Sequence, residues 1–454
     1  MLGDFEIDFS QKKVLLLGFG LEGRASLKYL KEKFPTAIVS VADQAKSFSI
    51  ESEVRSEVSE IYKGESWLSS LSDYDIIVRS PGVPLGLIES AVPTDGTAPI
   101  MTSVTEIFLE KNRSRTIGIT GTKGKSTTSS LLKEILAACG FKVELVGNIG
   151  KPAISLINEK VDYFIYELSS YQLQDLKYSP HVAFFLNFYP EHLDHHGGIE
   201  NYFSAKCRIF DFQEPKDFLF LGQKVLPQVV GKPRSSLCVV GGPESKFFIK
   251  GSSIVSRDGS FMFDMKSSGL RGSGNLQNLL AVFEFAASID LDLDLVSRGI
   301  SQFKPLPHRL EIVGTRNGVQ YVNDSISTVP QATINAIDAF DSQIQTLILG
   351  GYDRGVDFDE LSDVILESEI PLVLLFKPSG ERILSSINRS AKSKNLTPPT
   401  MQFVDSMDHA IKVVIEKNFK SGVCLLSPAS PSFGMFKNFE ERGKTFRDIV
   451  LSVF

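Results

Sequence analysis

Short apolar runs alternate with longer amphipathic stretches along most of the chain. Val14–Leu17, Ile76–Val78, Thr116–Ile119, Tyr163–Tyr166, Val182–Leu186, Thr346–Leu349, Leu372–Phe376 and Val423–Leu426 are nearly unbroken in apolar residues, as strands buried on both faces are. Helix-length patterns such as Ser129–Ala138 lie between many of them. Strands alternating with helices need crossover connections, so the pattern predicts α/β domains with mostly parallel sheets. No fixed-period repeat or low-complexity tract interrupts it. Two breaks stand out: the turn-rich PTDGTAP at 93–99, and KPLPH at 304–308, where prolines flank a leucine. They divide the chain into three domains of ordinary size, expected at 1–99, 100–306 and 307–454. Residues 225–272, rich in Gly, Ser and short β-like runs, are expected on the edge of the central domain.

Composition narrows the class. The 454 residues are 42% hydrophobic and 22% charged, the balance of a globular protein with sizeable cores. No segment reaches the ~18 unbroken apolar residues of a membrane span. The start, MLGDFEIDFSQKK, has no basic region followed by a long apolar run, so a cytoplasmic location without membrane association is expected. A net charge of −6 argues against nucleic acid as a partner. It leaves anionic small molecules open, because local sites outweigh the global sign. Cys139, Cys207, Cys238 and Cys424 lie far apart without a CxxC pair, which reads as reduced thiols in packed positions.

Residues 116–128, TIGITGTKGKSTT, carry the densest chemistry. An apolar strand runs into a glycine-containing loop and a helix follows, as in a P-loop. Gly121 and Gly124 let backbone amides, including those of Thr122, Lys123 and Thr127, turn toward phosphate oxygens. Lys125 supplies a point charge to the β and γ phosphates, Ser126 a hydroxyl to Mg²⁺, and the helix N-terminus its dipole. The strict pattern wants Gly five positions before Gly124, where Ile119 stands, so the loop is a variant. Glu167 ends the strand VDYFIYE; a carboxylate there faces the ligand crevice of a parallel sheet and suits the same Mg²⁺. The next strand ends in a group with His192, Asp194, His195 and His196. Its spacing matches no zinc motif, and one histidine near Mg²⁺ and ATP, the others facing solvent, is the reading. Lys206 follows in a helix-like stretch and on its own pattern reads as a surface lysine.

At the N-terminus, VLLLGFGLEG places Gly18, Gly20 and Gly23 after a strand, with Asp43 at the end of a second. This is the dinucleotide fingerprint of a Rossmann-like domain, and a nicotinamide-dependent dehydrogenase is one reading. Glycines at a helix N-terminus bind any diphosphate, however, and the acid accepts from any sugar or base donor. The Ser80–Gly82 turn ends another strand on the same edge. The domain reads as a nucleotide-diphosphate site.

Taken together and in order, these motifs resemble the Mur ligases of peptidoglycan synthesis over nearly the whole chain. The shared segments are GFGLEGRAS, TGTKGKST, GNIG (147–150), ELSSYQL (167–173), HLD with Lys206, and the Asn275–Asn278 pair. HRLE (308–311), NDS (323–325), LGGYDRGVDF (349–358) and LSPASPSFGMFKNFEERGKTF (426–446) complete the set. The last two look most like the member that adds D-glutamate to UDP-N-acetylmuramoyl-L-alanine. The resemblance implies three domains: a Rossmann-like N-terminal domain for the UDP-sugar, a central P-loop ATPase-like domain, and a C-terminal Rossmann-like domain that brings the amino acid. It assigns Gly20, Leu21, Glu22, Asp43, Ser80, Gly82, Asn148 and Ser169 to the UDP-linked substrate. Asn278, Arg309 and Asp324 go to the nucleotide, and Thr328, Arg354, Ser432, Phe433 and Phe439 to the amino acid. Lys125, Glu167, His192 and Lys206 are the implied catalytic set, with Ser126, Glu167, His192 and Lys206 around Mg²⁺ and a CO₂-derived carbamate on Lys206. Four positions depart from the commonest family pattern: Lys123 in place of Asn, Ile326 in place of Lys, Arg354 in place of Lys, and Gly434 in place of Asp.

The implied chemistry is coherent. A carboxylate is not amidated at neutral pH without a better leaving group. The alanyl carboxylate is therefore expected to take the γ-phosphoryl of ATP, and the amine of D-glutamate to displace phosphate from the acyl phosphate. ATP and Mg²⁺ are the expected cofactors, UDP-N-acetylmuramoyl-L-alanine and D-glutamate the small-molecule partners, and a monomer the expected state. Another ligase of the superfamily, with a different amino acid or a folate acceptor, remains open. So do the dehydrogenase and an ATP-driven switch.

Overall fold

The computed structural model describes residues 7–46, 55–91, 98–191, 193–340 and 343–453. All eight apolar runs are strands, and each domain carries its own sheet. The first sheet consists of β1 (Lys13–Leu17), β2 (Ile38–Asp43), β3 (Ile61–Lys63), β4 (Ile76–Arg79) and β5 (Ile100–Ser103). Their order is β3-β2-β1-β4-β5, and every pair is parallel. The direction of winding reverses between β1 and β4, where doubly wound sheets open their ligand crevice. β5 starts immediately after the boundary expected at 99, so the sheet itself extends to Ser103.

The second sheet consists of β6 (Thr116–Thr120), β7 (Val143–Gly147), β8 (Tyr163–Glu167), β9 (Val182–Phe185), β10 (Phe218–Gly222) and β11 (Ser236–Val240). The order is β11-β10-β9-β6-β8-β7, again all parallel. β6 sits centrally, buried at every position, with β8 and β9 beside it. The loops after these three strands therefore meet at one edge. The Gly- and Ser-rich stretch supplies the edge strand β11 and three more short strands, β12 (Phe247–Lys250), β13 (Ser253–Ser256) and β14 (Met262–Asp264).

The third sheet consists of β15 (Glu311–Arg316), β16 (Val319–Asn323), β17 (Ile344–Gly350), β18 (Leu372–Phe376), β19 (Thr400–Phe403) and β20 (Gly422–Leu426). Its order is β15-β16-β20-β17-β18-β19, parallel except for the hairpin β15–β16. The loops after β16, β20 and β17 are thus neighbours.

By contact the chain forms two compact units. One holds the first two sheets (residues 1–250, 254–262 and 278–300) and the other the third sheet with 251–253 and 263–277. Within the first unit one continuous core runs from Val14 and Leu27 through Phe108 to Phe164, Tyr166 and Phe185. The ring of Phe108, on the helix that follows β5, meets those of Phe164 and Tyr166 edge-on at 4.9 and 5.4 Å within that core. Among the described residues no helix is long and apolar enough to cross a membrane.

Candidate functional site

At the crevice between β1 and β4 lies a cavity of about 450 Å³. Gly20, Leu21, Glu22, Asp43, Ser80 and Gly82 all line it, together with Trp67, the single tryptophan of the sequence. Gly18 is required by close approach: a Cβ there would lie 2.7 Å from that of Ser80, whose hydroxyl donates to the Gly18 carbonyl at 2.9 Å. Asp43 grips the glycine turn, accepting from the amides of Phe19 at 2.7 Å and Ala45 at 2.8 Å. Each carboxylate oxygen accepts from the protein's own backbone, so this acid holds the loop in shape as well as lining the cavity. Glu22 accepts from Gln172 of the second domain at 3.0 Å through Oε1, while its Oε2 is buried without a partner among the described residues. Burial pushes its carboxyl upward, against the pull of Gln172 and Arg79.

After β6 the backbone turns through Gly121 and enters the helix Lys125–Ala138. Gly124 has φ +84°, and a Cβ there would lie 2.5 Å from Oδ1 of Asn278, which is itself buried. No other residue serves at this position. The Lys125 ammonium folds back over the loop to the carbonyls of Gly121 (2.9 Å) and Thr122 (3.1 Å). Thr122, Ser126 and Thr127 are buried beneath it. Asn187, which follows β9, braces the loop from the side. Its Oδ1 accepts from the Lys123 amide at 2.8 Å, and its Nδ2 donates to the Lys123 carbonyl at 3.0 Å. Lys123 itself pairs with Glu191 at 3.0 Å, so its departure from the family's Asn is matched by a nearby carboxylate. Neither Asn187 nor Glu191 was singled out by sequence; the signal for both was position, just past the strand beside the phosphate loop.

Lys206 is not a surface lysine. The helix Ile199–Asp211 turns it inward, leaving it 1% exposed, and its Nζ donates to the carbonyl of Gly121 at 3.0 Å. Its ammonium also lies 4.9 Å from the ring centre of Tyr202. Burial above all, then the Lys125 charge, holds its pKa well below the ordinary lysine value. Glu167 is fully buried at the end of β8. Its Oε1 accepts from Asn148 at 2.9 Å, and its Oε2 has no partner among the described residues. An orphaned buried carboxylate oxygen on the strand beside the phosphate loop, its charge felt by Lys206, fits a hard divalent cation. Among the described residues no cluster of three or more His, Cys, Asp or Glu is present to hold a metal without further ligands.

His192 and the side chain of Asp194 lie outside the described residues. His195 and His196, expected to face solvent, are half-buried. The Tyr171 ring meets His195 edge-on at 4.2 Å and stacks on His196 at 5.6 Å, and Ser170 Oγ lies 3.0 Å from His196 Nε2. An aromatic face and a hydroxyl give both rings a packed alternative to water. Burial lowers the His195 pKa, and its Nε2 is buried without a partner among the described residues. Ser169 caps the helix Ser170–Leu173 in a reciprocal box with Gln172.

In the second unit the loops after β16, β17 and β20 gather the remaining residues. Asp324 is buried; Ser327, Ser427 and the Leu310 amide donate to it. Burial raises its pKa to about 6. Arg309, in the same loop region, is half-buried. Ser432 is buried, Thr328 and Phe439 half-buried, and Arg354 exposed, with its guanidinium 5.9 Å from the ring centre of the exposed Phe433. Ile326 is half-buried and its amide donates to the His308 carbonyl at 3.3 Å. The buried Arg442, absent from the sequence-based assignment, ties these loops together. It donates to Ser325 Oγ at 3.0 Å, the Ser325 carbonyl at 2.8 Å and the Ser430 carbonyl at 2.9 Å. Its clue was an Arg in a segment that otherwise reads as helix surface, ERGKTF.

Comparison with known proteins bears on this geometry. Residues 119–286 match the family description "Mur ligase middle domain". The chain is 34% identical to the UDP-N-acetylmuramoylalanine--D-glutamate ligase of Acetivibrio thermocellus, covering 100% of this chain and 99% of that protein. It is 32% identical to the UDP-N-acetylmuramoyl-L-alanine--L-glutamate ligase of a Micromonospora species, over 98% of this chain and 97% of that one. In fold it is similar to the crystal structure of MurF ligase from Thermotoga maritima in complex with ADP. That match has a TM-score of 0.58 at 16% identity and covers 100% of this chain and 98% of the other.

Proposed function

The chain belongs to the Mur ligase family, and from that premise we propose that it joins D-glutamate to the alanyl carboxylate of UDP-N-acetylmuramoyl-L-alanine, forming ADP and phosphate. One observation carries the reading: Lys125 and the buried Lys206 both donate to the Gly121 carbonyl, while Glu167 keeps a buried oxygen without a partner among the described residues. A lysine cation, a buried amine and one idle carboxylate oxygen at a phosphate loop and the strand beside it suit an anion accompanied by a hard cation. ATP with Mg²⁺ supplies both.

In this reading the cavity of the first domain holds the UDP-sugar, through Gly20, Leu21, Glu22, Asp43, Ser80 and Gly82, with Asn148 and Ser169 toward the reacting end. Residues 100–306 hold ATP and residues 307–454 the amino acid. The alanyl carboxylate attacks the γ-phosphorus and expels ADP. The glutamate amine then adds to the acyl carbon, and collapse of the tetrahedral intermediate releases phosphate. Lys125, Arg309 and the amides of the helix N-terminus offset charge on the phosphoryl group as it moves. Asn278 and Asp324 hold the nucleotide. Mg²⁺, with Ser126, Glu167, His192 and Lys206 as its holders, adds charge neutralisation at the phosphates when bound. Lys206 serves as a carbamate: its neutral amine adds to CO₂ and loses a proton, and a repelled ammonium becomes an anion. Its burial beside Lys125 supports this. For the amino acid, Thr328, Arg354, Ser432, Phe433 and Phe439 form the pocket, with Arg354 gripping one carboxylate bidentately. The reaction is placed in the cytoplasm and the enzyme acts as a monomer.

L-glutamate is the second reading. The Micromonospora relative is named for that enantiomer, and the uncharged Ile326 stands in the loop after β16. Phosphate release with UDP-N-acetylmuramoyl-L-alanine, ATP and a panel of amino acids separates the two. Turnover dependent on D-glutamate supports the proposal, and turnover with the L form alone replaces it. Turnover with neither enantiomer overturns both.

A further inference from the structure

One side chain links the first two domains and belongs to no step of the proposed reaction. Arg79 ends β4 and is fully buried. Its Nε and Nη2 donate to the two carboxylate oxygens of Asp175, each at 2.7 Å, across 96 residues of sequence. Nη2 also donates to the carbonyl of Tyr171 at 3.0 Å. Nη1 turns the other way and donates to the carbonyls of Ser80, Pro81 and Val83 at 3.2, 3.3 and 3.0 Å. One guanidinium thus has every direction of its rigid fork occupied.

Both ends matter to the site. Ser80–Val83 is one wall of the cavity, and Ser80 also closes on the glycine turn through Gly18. Tyr171 and Asp175 belong to the segment that follows Glu167, the same segment whose Gln172 reaches Glu22 in the cavity and whose Tyr171 carries His195 and His196. The packed core already joins the two domains, and a buried ion pair is often no more stabilising than apolar side chains of similar size. What the fork adds over apolar packing is geometry: four backbone carbonyls and one carboxylate held about one planar group.

We propose that Arg79 is a positioning residue for the ligation. It sets the Ser80–Val83 wall of the nucleotide cavity against the Glu167–Asp175 segment, so that a nucleotide-linked carboxylate held in the cavity meets the phosphate loop in reactive register. The inference rests on the ligase reading. A misplacement of about 1 Å costs on the order of 10²-fold in rate, so a residue holding two sites in register acts mainly on kcat.

The test compares wild type with Arg79→Lys, which keeps the charge and loses the fork, and with the double variant Arg79→Met/Asp175→Leu, which removes both charges. Melting temperature, kcat, KM for ATP, and the affinity for UDP-N-acetylmuramoyl-L-alanine read through Trp67 fluorescence are measured on each. The double variant is expected to melt close to wild type, to lose about 10- to 100-fold in kcat, to bind the UDP-substrate several-fold more weakly, and to keep its KM for ATP. Arg79→Lys is expected to show the same split, and it decides the matter alone if the double variant does not fold. Folded variants with wild-type kcat and UDP-substrate affinity would overturn the positioning role. Wild-type enzyme that releases no phosphate with this substrate would instead overturn the ligase reading.

Discussion

Lys206 and Lys125 donate to the same carbonyl, that of Gly121, so two lysines share one acceptor and Lys206 is disfavoured as a second ammonium beside Lys125. The conflict is resolved when one of them becomes an anion. Lys206→Ala is expected to lose about 10³-fold or more in turnover. Acetate, a carboxylate small enough for the vacated space, should restore part of it, and an active variant without acetate would remove the carbamate from the mechanism. A second readout needs no turnover: protein equilibrated with ¹³C-bicarbonate should show a carbamate carbon signal that the variant lacks. Lys125→Ala should abolish phosphate release yet leave the Trp67 fluorescence response to the UDP-substrate unchanged, because that cavity belongs to the first domain. Asp324 gives a prediction about pH. Its carboxyl, raised from 3.8 to about 6 in the fold, is stabilising while protonated. That contribution is complete below about pH 4 and is lost as pH rises through about 6. Asp324→Asn, which stays neutral, should therefore flatten the fall in melting temperature between about pH 4 and 7. Parallel curves for the two proteins would show that Asp324 titrates alike folded and unfolded.

At the scale of elements, function sits where strands end. β1 and β4 open the cavity, β6, β8 and β9 deliver the phosphate loop, Glu167 and Asn187, and β16, β17 and β20 present the loops proposed to hold the amino acid. The phosphate loop tolerates no side chain at Gly124, where φ is +84° and Asn278 lies against the missing Cβ. Gly124→Ala should cost about 1 kcal/mol or more in backbone strain and should weaken ATP binding by displacing Asn278. Calorimetric titration with ATP checks this, and wild-type affinity would contradict it. Arg354→Ala should raise KM for glutamate and leave KM for ATP unchanged. These loops were readable because glycine spacing and strand-end chemistry are local. Lys206 was not readable from its own neighbourhood, since its burial comes from a helix packing over the loop some 85 residues earlier. Arg79 and Asp175 were invisible for the same reason. Asn187 and Arg442 hold loops through backbone groups, a role that carries no motif. The outward placement of His195 and His196 failed because Tyr171, distant in sequence, offers them a ring to pack on.

For the whole molecule, the alternation of apolar runs was enough to read three α/β domains, because buried parallel strands leave no polar face. What it left unread was the continuous core that makes the first two sheets one body. The central claim is that the alanyl carboxylate is phosphorylated by ATP before the amine attacks. If so, one oxygen of that carboxylate leaves with the phosphate. The enzyme is given UDP-N-acetylmuramoyl-L-alanine labelled with ¹⁸O in the alanyl carboxylate, together with ATP and D-glutamate, and the released phosphate is examined by mass. The account predicts one ¹⁸O per phosphate and a matching loss from the amide product. Unlabelled phosphate would show that water, not the carboxylate, takes the phosphoryl group, and would contradict it.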